Sequence, residues 1–208
     1  ASLCPQAQDD IYSRDLNYYV GATLSQPAVL RASFVPTLTV YSERRSEYNA
    51  YLRTTPAGGS LNLTRAIGRR AQSLGYTVEY GRTEAQPALF CAVFNACEDR
   101  DRAALQRPLR LAVLSGGSSY ERSNDPLDPS NGVMGRVELR YASDIVGAER
   151  DIDFARVTLD GAWFKSLGAD VTFAMRLRLG TVFGSDFSLS RTATFVPPQE
   201  RLYAGGPN

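Results

Sequence analysis

The sequence contains no histidine, and only one of its 23 basic residues, Lys165, is a lysine. The absence of histidine removes the commonest general base and the commonest metal ligand of proteins. Catalysis through Asp, Glu or Tyr remains chemically open, but no group of residues forms a catalytic or metal-binding motif. We therefore expect a protein that is not an enzyme, with no catalytic residues, no metal site and no cofactor.

Long hydrophobic runs are also missing. The longest uncharged apolar stretch falls far short of the roughly 18–20 residues that a transmembrane helix requires. The first residues, ASLCPQAQDD, have neither a basic start nor an apolar core, so no signal peptide is expected. The net charge of +1 gives no electrostatic argument for binding nucleic acid.

Cysteine is scarce, with three residues in the chain. Cys91 and Cys97 flank a short segment, and we predict a disulfide between them, which would indicate an oxidising compartment. The alternative is a pair of free thiols. Cys4 does not suit a lipid anchor, because Leu3 stands where the cleavage site of a lipoprotein requires a small residue.

What the sequence does contain is long alternation of apolar and polar residues. In ADVTFAMRLRLGTVF, for example, Phe173, Met175 and Leu177 share one face, while Arg176 and Arg178 lie on the other. A period of two predicts β-strands, and helix signals are almost absent. We predict eight strands, at about 16–24, 28–42, 47–67, 73–90, 108–121, 133–146, 152–164 and 170–183.

Strand length is the feature that favours a membrane protein. Strands of soluble proteins usually have about five or six residues, whereas a tilted membrane strand needs about 9–11 residues within the hydrocarbon. Turn-like connections at 25–27, 68–71, 123–132 and 165–168 alternate with connections at 43–46, 91–106 and 147–151, some of them long. That asymmetry is typical of outer-membrane barrels. A soluble β-sandwich shares the alternation and remains the alternative.

Three local features refine this prediction. Aromatic residues stand near strand ends, as expected for rings at a membrane interface; they are Tyr41, Tyr76, Tyr141, Trp163 and Phe183. The sequence PAGG at 56–59 interrupts the third strand and predicts either its end or a β-bulge. Arg176, Arg178 and Asp160 are expected on the inner wall, where a polar lumen would solvate them.

The tail PPQERLYAGGPN resembles a segment of the inward-folded loop of the BamA/TamA-type outer-membrane protein assembly family. In that family a Pro-Pro-x-Glu-Arg-aromatic-Tyr-Ala-Gly-Gly segment leads into a Val-Arg-Gly motif. The matching residues are Pro197, Pro198, Glu200, Arg201, Tyr203, Ala204, Gly205 and Gly206. Leu202 departs from the usual aromatic, and the Val-Arg-Gly part does not follow. The resemblance is firm over about 107–206 and weaker over 16–90.

The resemblance implies a domain organisation. Residues 1–15 would be an N-terminal extension or periplasmic segment, 16–183 part of an antiparallel transmembrane β-barrel, and 184–208 the start of the inward-folded loop. Because that loop follows the eleventh of sixteen strands in the family, the first strand here would correspond to the fourth. We therefore expect this chain to be part of a longer polypeptide, with the family's lateral gate and POTRA domains outside it; a second chain completing the barrel is the alternative.

The resemblance also implies roles for individual residues. Gly205 and Gly206 would allow a tight turn or a close backbone approach, and Pro197 and Pro198 would stiffen the loop. Glu200 and Arg201 would form a charge pair that pins the loop to wall residues such as Arg176 or Arg178. Asp160 would be a salt-bridge partner in the lumen, and Tyr203 would pack against the wall.

The function implied is non-enzymatic insertion or translocation of proteins at the bacterial outer membrane. The expected partners are unfolded outer-membrane proteins, the lipid bilayer and the remainder of the barrel. Three rivals remain: a two-partner secretion transporter, a passive or structural barrel, and a soluble β-sandwich binding module.

Overall fold

The computed structural model describes residues 16–26, 34–47, 51–85, 107–125, 127–168, 171–184, 196–197, 200 and 202. These residues form eight antiparallel strands in a single sheet, ordered β1 to β8 as in the chain. The strands are β1 Tyr18–Ser25, β2 Phe34–Glu47, β3 Tyr51–Ile67, β4 Arg70–Ala85, β5 Leu109–Ser123, β6 Gly132–Ala142, β7 Phe154–Ser166 and β8 Thr172–Gly184. No described helix is long and apolar enough to cross a membrane.

The predicted number of strands is confirmed, and most boundaries differ by a few residues. β4 begins at Arg70 instead of 73, because Gly68 with a φ of 56° closes a two-residue turn after Ile67. β2 continues through 43–46, where a connection was predicted. β6 ends at Ala142 instead of 146, because Asp144–Val146 form a short 3-10 helix.

The interruption in β3 is a bulge, the second of the two predicted outcomes. β3 runs unbroken through 56–59, and its pairing with β4 shifts between Thr54 and Ala57. The pairing of β2 with β3 shifts at the neighbouring point, between Tyr41 and Glu43. Proline cannot donate to the ladder and glycine permits the irregular backbone, so the sequence places the irregularity where the chain can accommodate it.

Alternation and register divide the sheet into two faces of different chemistry. The polar face carries small and charged residues, and the apolar face carries the large hydrophobic ones. Members of the polar face include Thr23, Thr37, Thr39, Ser60, Asn62, Ser73, Thr77, Ser115, Ser119, Arg136, Arg140, Arg156, Asp160, Arg176 and Arg178. Members of the apolar face include Leu24, Leu38, Leu61, Leu74, Leu114, Leu139, Leu159, Leu177 and Leu179.

Most of the apolar face is uncovered in the described structure. Leu24 is 70% exposed, and Leu177 is 58% exposed. The buried core is instead a small cluster where β5, β6 and β7 meet the segment between β6 and β7, with Val113, Ile152 and Phe154 at its centre. An uncovered apolar face spanning eight strands suits lipid and is foreign to a soluble sandwich, whose sheets cover each other.

Aromatic residues mark the two edges of the apolar face. Phe173 lies near the start of β8 and Phe183 near its end, ten residues apart. Ten residues extend for about 33 Å along a strand. A strand tilted by about 40° then spans about 25 Å along the membrane normal, the height of the apolar band of an outer-membrane barrel.

We call the two ends of the sheet the turn end and the loop end. The turn end carries the β1–β2, β3–β4, β5–β6 and β7–β8 connections, and the loop end carries the others. At the turn end the ring of Trp163 packs edge-on against Phe173, with centroids 5.8 Å apart. At the loop end the Tyr76 hydroxyl donates a hydrogen bond of 2.8 Å to the carbonyl of Val146.

Tyr41 does not belong to either aromatic edge, contrary to the prediction. It lies on the polar face, stacks on Tyr19 with centroids 5.7 Å apart, and reaches across Gly58 of β3. Its hydroxyl donates a hydrogen bond to the Glu79 carboxylate on β4. The side chain thereby braces three consecutive strands beside the bulge.

We predict that Gly58→Ala destabilises the sheet by about 1–3 kcal/mol, the usual cost of overpacking. A Cβ at position 58 would lie 2.7 Å from the Tyr41 ring. Denaturant unfolding of the full-length polypeptide in detergent would measure the change. Gly59→Ala is the matched control, since the nearest atom to a Cβ there, the Thr39 carbonyl oxygen, is 3.6 Å away. Equal stability of the two variants would contradict the proposed packing of the Tyr41 side chain across β3.

Candidate functional site

The polar face changes character along the sheet. On β1 to β5 it is mostly serine, threonine, glycine and asparagine, whereas on β6 to β8 it is dense in charge. We call the charged part the charged wall; it consists of Arg136, Glu138, Arg140, Arg156, Asp160, Arg176 and Arg178. It holds five arginines and two carboxylates, so it needs further negative charge to be neutral.

Asp160 neutralises the part of the wall nearer the turn end. It pairs directly with Arg178 in the β7–β8 register and lies two residues from the partner of Arg176. Arg176 Nε donates to Asp160 Oδ1 at 2.8 Å, and its terminal nitrogen binds the other carboxylate oxygen. Arg178 Nε donates to Asp160 Oδ2 at 3.0 Å. Asp160 therefore binds both of the other predicted wall residues.

The part of the wall nearer the loop end is built differently. Arg140 of β6 and Arg156 of β7 are direct partners in the ladder and lie on the same face. Like charges placed opposite each other destabilise a sheet pair unless a counter-charge separates them. No strand residue that the structure describes supplies this counter-charge by an ion pair to either arginine.

Glu200, from the segment after β8, provides the missing carboxylate. Arg140 Nε donates to Glu200 Oε2 at 3.0 Å, and Arg140 Nη2 donates to Oε1 at 2.6 Å. Arg156 Nη1 donates to Oε2 at 3.3 Å. Glu200 is 4% exposed, so its charge is buried and compensated by two arginines. A bidentate contact of this kind fixes orientation as well as position.

Two apolar contacts hold the same segment against β8. Val196 is buried near Gly184, where a Cβ would lie 2.8 Å from Val196 Cγ2. Leu202 rests on Gly180, where a Cβ would lie 2.6 Å from Leu202 Cδ1. From Val196 to Leu202 the described residues therefore descend along the polar face, from the loop end towards the middle of the sheet.

The partners of Glu200 differ from the prediction. Arg176 and Arg178 were expected to pin it, but Asp160 already binds both of them, and Glu200 pairs with Arg140 and Arg156. Pro197 is buried, and its carbonyl accepts a hydrogen bond of 2.9 Å from the Glu200 amide. Pro198, Arg201, Tyr203, Gly205 and Gly206 lie outside the described residues. Their predicted roles remain predictions.

Cys91 and Cys97 also lie outside the described residues, and the disulfide stays a prediction without structural support. Within the described ranges, no group of three or more Cys, Asp or Glu residues is arranged to hold a metal ion. Next to Leu202 the charged wall borders a cavity of about 780 Å³. The chemistry of the site is therefore that of a solvated, salt-bridged wall with a docked segment.

Comparison with known proteins gives this arrangement a family. Residues 11–208 match the Omp85 superfamily domain. The chain belongs to the Omp85 superfamily. It is accordingly a protein of the bacterial outer membrane, from a family of assembly and transport proteins. Its eight strands form part of a β-barrel.

A solved structure supports the fold of this Omp85 chain. The crystal structure of BamA from Haemophilus ducreyi lacking POTRA domains 1-3 superposes with a TM-score of 0.67 at 16% sequence identity. The match covers 91% of this chain and 36% of the BamA chain, so the present chain spans about a third of that structure. No curated protein matches the sequence.

We predict that Glu200→Gln weakens docking of the segment by about 2–4 kcal/mol, since it leaves Arg140 and Arg156 opposite each other without a counter-charge. Hydrogen exchange of residues 196–202 in the full-length polypeptide would report the loss as faster exchange. Glu138→Gln is the control, because Glu138 shares the face but contacts Arg136 at only 3.8 Å. Unchanged exchange in Glu200→Gln would exclude an anchoring role.

A second prediction concerns Gly180. A Gly180→Val side chain would occupy the place of Leu202, and we expect it to displace the segment and to increase protease cleavage after β8. Gly135→Val is the control, because nothing lies within 4 Å of a Cβ at that position. Combining Gly180→Val with Leu202→Ala should restore protection. A double variant as sensitive as Gly180→Val alone would contradict direct contact between the two positions.

Proposed function

We propose that this chain is part of an outer-membrane protein that inserts or translocates other proteins without enzymatic chemistry. The observation that carries the proposal is the docked segment: Glu200 anchors it to the charged wall inside a partial Omp85 barrel. A segment held in this way matches the inward-folded loop implied by the sequence of the tail. The proposed substrates are unfolded outer-membrane proteins.

The proposed chemistry is exchange of backbone hydrogen bonds. An incoming strand in lipid must satisfy its N–H and C=O groups, and an available strand edge satisfies them by β-augmentation. Such templating requires no nucleotide, metal or cofactor. The edge that opens laterally would lie between the first and last strands of the complete barrel, outside the residues of this chain.

The proposed role of this chain is to provide the wall opposite that opening. Eight strands paired without a break form a continuous surface, and β1 and β8 each have one described neighbour. In lipid both edges need further strands, since an open edge is not tolerated there. We propose that the remainder of the barrel supplies them, either from the same polypeptide or from a second chain.

The proposal is tested with the full-length polypeptide in liposomes. An unfolded outer-membrane barrel protein is added from denaturant, and its folding is followed by the change in gel mobility. We expect faster folding than in empty liposomes, slower folding with Glu200→Gln, and wild-type rates with Glu138→Gln. If the polypeptide left the folding rate of every added barrel unchanged, the assembly function would be refuted.

Two rival functions give different results in the same liposomes. A two-partner secretion transporter would export one dedicated passenger and leave the folding of other barrels unchanged. A passive barrel would conduct ions steadily and affect neither process. The soluble β-sandwich module is disfavoured, because the described residues form one sheet with an uncovered apolar face.

A further inference from the structure

The apolar face carries an unusual set of cations at its turn end. Arg65 lies over the ring of Phe34, with its guanidinium carbon 5.1 Å from the centroid. Arg70 lies over the ring of Tyr120 at 5.9 Å. Each arginine is also the ladder partner of the aromatic residue beneath it. Both side chains are therefore held on the face that contacts lipid.

These pairs lie at one depth in the membrane. In a barrel with strands tilted by about 40°, a line of constant depth moves about one residue along the register at each strand. Followed from partner to partner, the register connects Phe34 on β2 to Leu179 on β8, six strands away. At one residue per strand, the line of constant depth has shifted by six residues when it reaches β8. Phe173 lies six residues before Leu179, so Phe34 and Phe173 lie at the same depth.

The same construction places the intervening cations at this depth. Arg65, Arg70, Arg122 and Lys165 all fall within about two residues of the line. Arg69, in the β3–β4 turn, lies immediately beyond it. We call this set, with Phe34 and Tyr120, the basic belt. It follows the edge of the apolar band at the end opposite the two longest connections, β4–β5 and β6–β7. In outer-membrane barrels the longer loops are extracellular, so this edge corresponds to the periplasmic side.

The cations of the basic belt form no ion pair with any residue that the structure describes. The side chain of Arg65 makes no hydrogen bond to the described residues, and its Nε is buried without a partner. The loop end is different: Arg107 pairs with Glu149 at 3.2 Å and also with Asp151. The arginines of the belt therefore have no counter-charge among the described residues, and the phosphate oxygens of lipid headgroups at the interface can supply one.

We propose that the basic belt binds the headgroups of anionic phospholipids in the periplasmic leaflet, with the site centred on the β3–β4 hairpin. Arg65, Arg69 and Arg70 lie within six residues of sequence there, and Arg122 is on the adjoining strand β5. Guanidinium groups bind phosphate oxygens bidentately. The aromatic rings position the guanidinium groups of Arg65 and Arg70 at the boundary between hydrocarbon and headgroups, where they can meet a phosphate.

The proposal depends on the membrane location of the chain and not on its assembly function. Basic residues near an anionic membrane surface each strengthen association severalfold, and the effects of neighbouring residues combine. Removing Arg65 and Arg70 together should therefore weaken retention of anionic lipid by about thirtyfold. Zwitterionic lipid should be retained equally by both proteins.

The experiment uses the full-length polypeptide in nanodiscs of phosphatidylcholine with one-fifth phosphatidylglycerol. After transfer to detergent, native mass spectrometry counts the lipids that each protein retains. We expect wild type to retain phosphatidylglycerol above its share in the bilayer, and Arg65→Gln/Arg70→Gln to lose that enrichment. Arg65→Lys/Arg70→Lys, which keeps the charge but not the bidentate geometry, should retain part of it.

Arg110→Gln is the matched control. Arg110 is an exposed arginine on the same face, beside Tyr80 at the loop end, and its loss should leave enrichment unchanged. Equal enrichment in wild type and the double glutamine variant, with both folded by gel mobility, would overturn the proposal. So would an equal loss in Arg110→Gln, because the effect would then follow total charge and not the belt.

Discussion

The constraint on which this structure depends is the need to pair every backbone polar group inside a medium without water. Seven consecutive antiparallel pairings connect the eight strands, so each inner strand is satisfied on both sides. The length of the strands follows from the same need, because a tilted strand must keep its ladder of backbone hydrogen bonds across the whole hydrocarbon layer. The irregularity opposite Tyr41 and Glu43 interrupts this ladder, and the chain braces it locally with a side chain that spans three strands.

Once the ladder is fixed, the two faces can serve different solvents. The outward face is apolar over about 25 Å and ends in aromatic rings and cations, which suits hydrocarbon bounded by headgroups. The inward face is polar, and its charges are concentrated on β6 to β8. Separation of the two chemistries needs only the two-residue period of a strand, which is why so little of the chain forms a conventional core.

This period explains what the sequence can predict. Strand number, the faces of Arg176, Arg178 and Asp160, and the bulge at 56–59 follow from local patterns that tertiary structure does not override. The location of Tyr41 on the polar face could also have been predicted from the sequence, since Leu38 and Val40 occupy the alternate positions of β2 and therefore the apolar face. Proximity to a strand end was the wrong criterion. The partners of Glu200 could not be predicted from the sequence. They depend on how far the segment after β8 extends along the polar face and on which arginines Asp160 already binds.

That last dependence makes the docked segment a structural part of the wall. Arg140 and Arg156 oppose each other in the ladder, and sheet formation brings their charges together whether or not the segment is present. The repulsion is relieved when Glu200 enters, so the wall stabilises the segment and the segment stabilises the wall. The two events are coupled by thermodynamic necessity: whatever releases Glu200 also loosens β6 from β7. Docking of the segment at this point therefore depends on the pairing of β6 with β7.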